Sequence, residues 1–314
     1  MKKRIEWVDL AKGVGILLVV YGHVILGIHD ADIGFSGINY DIQHSVIYTV
    51  HMPLFFFLSG LFAIRWVKRD AKVAILQKVK SLLIPYFIWG IVQGIIMSIF
   101  AGSTNGKMNI TSILKLPIKP FGQFWFVYDL FWIFLIYYVA TNFFKLNLKS
   151  IFVISAILSV VSPMIHFWQV GRILYYLPFF MMGIVIATLQ FDINKLNTVA
   201  LIVIFLLLNA AYFLLNMGLV LNSILETITA VIGIAMIINI LSKFNSGWLA
   251  YIGKNSMAIY LMHIMATAGV RIFMMKLGIN SIVLHLIFGT LLGVIAPLIA
   301  LKVFSILKID KYIV

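Results

Sequence analysis

Lys12-Gly13-Val14-Gly15-Ile16-Leu17-Leu18-Val19-Val20-Tyr21-Gly22-His23 is the stretch that decides the fold. Ten of its twelve residues are apolar, small or aromatic, and a cationic and a titratable side chain stand at its two ends. Read as a helix, the eleven-residue spacing from Lys12 to His23 is close to three turns, so both side chains leave the same face. At 1.5 Å per residue His23 lies roughly 16 Å beyond Lys12, about halfway through a hydrocarbon layer of ~30 Å. An ionisable ring at that depth is costly unless it faces protein or a water-filled cavity. The stretch therefore predicts a membrane span with something titratable near its middle.

The rest of the chain agrees. Of 314 residues, 63% are hydrophobic and only 11% charged, and the mean hydropathy is +1.08. Soluble domains carry about 25% charged residues, so the class is a polytopic α-helical membrane bundle. The apolar runs are continuous rather than alternating, which disfavours a transmembrane β-barrel. There is no cysteine, which excludes disulfide and thiol chemistry. The segment after Met1-Lys2-Lys3-Arg4 lacks a small-residue cleavage site and reads as a retained first helix.

Ten spans are expected, at 8–28, 45–64, 82–101, 123–143, 150–167, 173–190, 198–216, 222–241, 255–271 and 281–307. With the N-terminus inside, eighteen of the 24 Lys and Arg residues fall on the cytoplasmic side. That bias predicts an N-in, C-in all-α bundle. It also explains the formal net charge of +14 without nucleic acid.

Two connections stand out. Arg65 to Ser81 holds six basic residues against one acid, Asp70. It reads as an anchor on anionic lipid or as a site for a phosphorylated cofactor. The outer connection 102–122 is polar and turn-rich and leads into Gly122-Gln123-Phe124-Trp125-Phe126, a place to cover an outer cavity or bind a polar substrate.

Four ionisable residues inside the spans are candidates for chemistry. His23 suits a general base or an acyl carrier, because an imidazole titrates near neutral pH. His51 precedes Pro53, whose missing N–H frees a carbonyl; a bend there would open a polar pocket, and a packed histidine is the competing reading. Asp129 is a carboxylate that must find a cation, a histidine or a proton. His263 reads equally as a core or a site histidine. Asp9 stands three residues before Lys12 and can pair with it. Glu226 and the remaining histidines (His29, His44, His166 and His285) fall near span ends and read as interfacial. No metal-ligand spacing, phosphate-binding glycine loop or nucleophile elbow occurs in usable context.

Several of these motifs together resemble the acyltransferase-3 family of membrane acyltransferases. Trp7-Val8-Asp9-Leu10-Ala11-Lys12-Gly13 followed by His23 is similar to its first span. His51-Met52-Pro53-Leu54-Phe55-Phe56-Phe57-Leu58-Ser59-Gly60, Tyr175-Tyr176-Leu177-Pro178-Phe179-Phe180-Met181-Met182-Gly183 and Ser256-Met257-Ala258-Ile259-Tyr260-Leu261-Met262-His263 resemble further family segments. The nearest subgroup is the fucose 4-O-acetylase-like sugar acetyltransferases, which have no appended extracytoplasmic domain. The resemblance implies one membrane acyltransferase domain over 1–314, in a bacterial cytoplasmic membrane. It implies O-acetyl transfer from acetyl-CoA to a hydroxyl of a cell-surface or lipid-linked glycan, without a metal. His23 would be the essential histidine, Lys12 its basic partner, and His51 and Asp129 further catalytic groups. Arg65, Lys68 and Arg69 stand where the family has an Arg-x-x-Arg motif, and would hold acetyl-CoA; Lys68 replaces the second arginine. Many members carry a glutamate after Trp-Ser-Leu; here Asp129 is one place early and one methylene shorter. Trp125 and His263 would contact the acceptor. The competing class is a transporter or flippase of a glycan or small solute, moving substrate without covalent change.

Overall fold

The computed structural model describes residues 6–100, 110–215 and 217–310. Lys2, Lys3, Arg4, Lys107 and Lys311 of the charge count, and 102–109 of the outer connection, lie outside the described residues. Helices make up most of the described chain, joined by short turns. In order come α1 Glu6–Asp30, α2 Ile38–Gly60, α3 Ala63–Trp66, α4 Ala71–Lys78, α5 Ile84–Ile99, α6 Ile110–Leu114 and α7 Trp125–Asn142. After them come α8 Leu148–Val161, α9 Val170–Leu189, α10 Thr198–Leu214, α11 Leu219–Leu241, α12 Gly247–Lys254, α13 Ser256–Lys276 and α14 Ile282–Ile306.

Among the described residues, eight helical runs are long and apolar enough to cross a membrane, and two shorter apolar runs, Leu148–Met164 and Thr198–Leu214, fill the remaining expected positions. A helix satisfies its own backbone hydrogen bonds, which is why hydrocarbon selects it. The region 65–81 differs from the expected loop. It is mostly helical: α3, then α4, then a π-helical turn at Val79–Leu83 that runs into α5. Trp66 is the physical reason. Its indole donates across the turn to the carbonyl of Ala74 at 3.0 Å and fastens α4 against α3.

The chain forms two compact units. The first comprises Met1–Gly15, Tyr48–Val79 and Asp129–Gly253. Its packing rests on glycines that let backbones touch. A Cβ on Gly60 of α2 would lie 2.0 Å from the carbonyl oxygen of Phe180, and one on Gly183 of α9 would lie 2.1 Å from that of Phe57. The glycines that end two of the quoted motifs are therefore reciprocal: each opens the contact that the other needs. The start of α1 meets α12 in the same way, Gly13 against the Leu249 carbonyl and Gly253 against that of Asp9. Gly15 in turn receives the ring of Phe55.

The second unit comprises Ile16–Ile47, Lys80–Tyr128 and Lys254–Val314. Here α13 packs along α14, while Gly289 and Gly293 of α14 accept Val24 and Val20 of α1. A polar clasp holds the segment before α7. Gln93 of α5 and Gln123 are both buried and exchange amide hydrogen bonds of 2.8 and 3.3 Å. The Tyr260 hydroxyl donates to the Gln123 carbonyl, and Tyr86 donates to the Leu116 carbonyl at 2.6 Å. Two amides paired with each other satisfy what hydrocarbon cannot.

Candidate active site

The second unit carries a histidine pair. His23 of α1 and His263 of α13 face each other with ring centroids 5.0 Å apart and an interplanar angle of 47°. His263 is 0% exposed. Its Nδ1 lies 2.7 Å from the carbonyl oxygen of Tyr260 and 3.1 Å from that of Ile259. A carbonyl only accepts, so Nδ1 carries the proton and Nε2 presents a lone pair. That Nε2 is buried and has no hydrogen-bond partner among the described residues. A buried bare acceptor costs free energy comparable to a lost hydrogen bond, and in native structures such groups mark function or an absent ligand.

His23 is half-buried and lines a cavity of about 440 Å³. The ring is therefore not sealed in dry packing. The walls are Leu26, Ile96, Met97, Phe100, Ile264 and Phe273; beyond His23 and Gln93, charge enters only with Asp30, Arg271 and Lys276, seven or more residues along α1 and α13. Gly27 makes the space for Arg271, since a Cβ there would lie 2.4 Å from Nη1. The Nε of Arg271 is buried with no hydrogen-bond partner among the described residues. The cavity thus has an imidazole at one end and a guanidinium at the other. Trp125, at the start of α7, is half-buried and meets Phe126 edge-on, and Phe126 in turn meets Tyr260, three residues before His263.

The first unit holds the remaining candidates. Lys12 is half-buried, with its ammonium 6.0 Å from the ring centroid of Phe62. His51 is 2% exposed and meets Tyr48 edge-on at 4.7 Å. Asp129 is 0% exposed and has found its cation: Arg172 Nε donates to Oδ2 at 2.5 Å and Nη2 to Oδ1 at 3.3 Å. Gln169 accepts from the same Nη2. Arg172 was only one of the outer cations in the sequence. The signal for it was indirect, an intramembrane acid in need of a partner and an arginine three residues before Tyr175-Tyr176.

Arg65, Lys68 and Arg69 are all exposed, on α3 and the turn after it. The backbone below them is held by α7: Tyr138 donates to the Arg69 carbonyl at 3.1 Å, and Asn142 to the Val67 carbonyl at 3.0 Å. Arg69 donates to Gln77 at 2.5 Å. Lys78 has a different role from its neighbours. Its ammonium sits 3.4 Å from the ring centroid of Phe134 and 5.6 Å from Trp66, a cation–π contact that fixes α4 rather than greeting solvent.

These features define a class: a polytopic helical membrane protein with a pair of imidazoles, one of them on a cavity, and an exposed basic turn. The family profile for an acyltransferase domain matches residues 5–302 of this chain, which therefore belongs to the acyltransferase-3 family and carries its acyltransferase domain. Among curated proteins, it is similar to the nodulation protein NolL of Mesorhizobium japonicum, 27% identical over 182 residues, covering 57% of this chain and 47% of the relative. It is also similar to NolL of Sinorhizobium fredii, 30% identical over 187 residues, covering 57% and 48%. The chain spans about half the length of the curated relatives it matches. No solved structure matches it.

Proposed function

We propose that this acyltransferase moves an acetyl group from acetyl-CoA to a hydroxyl of a glycan, with His23 as the group that carries the proton or the acetyl. The observation that carries the reading is the His23–His263 pair, of which His23 lines a cavity of about 440 Å³. His263 Nε2, a bare acceptor on the ring next to His23, would accept the His23 N–H once the two rings close up, and would then hold His23 in one tautomer and orientation. The second nitrogen of His23 is then a base for a hydroxyl or a nucleophile for a thioester.

In the overall step the thioester C–S bond breaks and an ester C–O bond forms. The hydroxyl proton ends on the CoA sulfur, passing through the imidazole. Direct transfer and an acetyl-histidine intermediate share this balance. Arg65, Lys68 and Arg69 supply the exposed cations for the CoA phosphates, where charge-assisted bonds hold an anionic ligand. Lys12, roughly 16 Å from His23 along α1, serves the CoA side of the site rather than the reacting carbonyl. Trp125 contacts the acceptor. Asp129, bound by Arg172, acts by holding that arginine rather than by taking a proton. His51 and its tyrosine contact complete the set in the first unit.

The direct test is mass spectrometry of surface and lipid-linked glycans from cells with and without this protein. The reading predicts acetyl esters that depend on its expression and vanish with His23→Ala at equal expression. An acetylation pattern that does not change, or a solute that crosses the membrane unmodified, would favour a transporter instead.

A further inference from the structure

The first unit contains a second cavity, of about 470 Å³, whose wall includes the Arg172 that Asp129 holds. We infer that it is a carbohydrate-binding site, selective for a neutral ligand rich in hydroxyls; as a place for the acceptor, the inference rests on the acyltransferase reading. The walls are Arg172, Tyr175, Tyr176, Tyr212, Asn222 and Glu226, on α9, α10 and α11. The volume lies within the roughly 300–1,000 Å³ of small-molecule sites.

The lining is what distinguishes it. Helices in a membrane gain nothing by gathering an acid, a guanidinium, three phenols and an amide around empty space, since each polar group brought there from water or headgroup carries a desolvation cost. The charge is also specific. Arg172 is neutralised by the buried Asp129, so Glu226 is the carboxylate left over on the wall. Tyr175 shares the wall with that carboxylate. An acceptor-only group of this kind binds hydroxyl donors and repels phosphates and carboxylates. The tyrosines provide flat faces for the C–H side of a sugar ring and hydroxyls for its rim. Tyr176 is itself held by stacking on Phe56, with centroids 4.5 Å apart and planes at 18°, and by an edge-on contact with Tyr175 at 4.9 Å. The charge bias places these ends of α9, α10 and α11 on the outer side of the membrane.

The test uses the full-length protein in nanodiscs, without acetyl-CoA. Saturation-transfer NMR is recorded with methyl glucoside, methyl fucoside and N-acetylglucosamine, and with glucose 6-phosphate as the anionic counterpart. The inference predicts that at least one neutral sugar binds, that glucose 6-phosphate does not compete, and that Glu226→Gln and Tyr212→Leu each weaken binding about tenfold or more. The melting temperature of each variant checks the fold, and Tyr212→Phe, which keeps the ring, should recover most of the affinity. His23→Ala should bind sugar as the wild type does while losing transfer, so the two readings fail separately. No binding by any neutral sugar, equal binding by both cavity variants, or equal competition by the phosphate would overturn the inference.

Discussion

At the residue scale, the proposed chemistry depends on buried polar groups whose partners are set by packing. Arg172 and Asp129 illustrate the cost of separating them. Replacing Arg172 by Met leaves a carboxylate at 0% exposure with no counter-charge. Because Arg172 itself is 34% exposed, the loss should be smaller than for a fully buried pair, about 1–3 kcal/mol. Thermal unfolding in detergent should show a lower melting temperature for Arg172→Met, and partial recovery when Asp129→Asn is added. If the double variant is no better than the single one, the pair is not what Asp129 relies on. Of the candidates named from the sequence, His23 was readable because a lone imidazole in mid-span is expensive and flanked by small residues. Its counterpart was not: nothing local to Ser256–His263 says that its imidazole lies against the first helix. Arg172 was missed for the same reason, since helix pairing cannot be read from either span alone.

At the element scale, hydropathy located the helices because each must bury its own backbone in hydrocarbon, whatever it packs against. Their ends were less legible. The sequence suggested that α8 would run on to 167, but it gives way to a short turn at Ser162–Met164, where Pro163 cannot extend the α-helical ladder. The charges of the basic connection dominate its composition and read as loop, while Trp66 and Phe134 hold part of it as a helix through an aromatic cage for Lys78. The reciprocal glycines of α2 and α9 give a sharp prediction. Gly60→Ala or Gly183→Ala places a methyl about 2 Å from a backbone oxygen and must push the helices apart. Overpacking of this kind should cost about 1–3 kcal/mol and lower the yield of monodisperse protein on size exclusion. Gly269→Ala, where nothing stands within 4 Å, should be neutral or slightly stabilising. Equal behaviour of the three variants would mean that the close approach is not required.

At the scale of the whole molecule, the composition sufficed for the class, and the distribution of Lys and Arg for an orientation. The absence of cysteine makes that orientation easy to check. A single cysteine at the exposed Asn280, between α13 and α14, should react with an impermeant maleimide on intact cells. One at the exposed Lys149, at the start of α8, should react only after permeabilisation. The reverse pattern would invert the topology. The proposed transfer requires that a thioester and an alcohol reach one imidazole. Purified protein in vesicles loaded with radiolabelled acetyl-CoA, and offered a glycan acceptor outside, measures that most directly. The account predicts label on the glycan with the wild-type protein and a loss of roughly 10²–10⁴-fold in rate for His23→Ala. Transfer by the variant at the wild-type rate would contradict it.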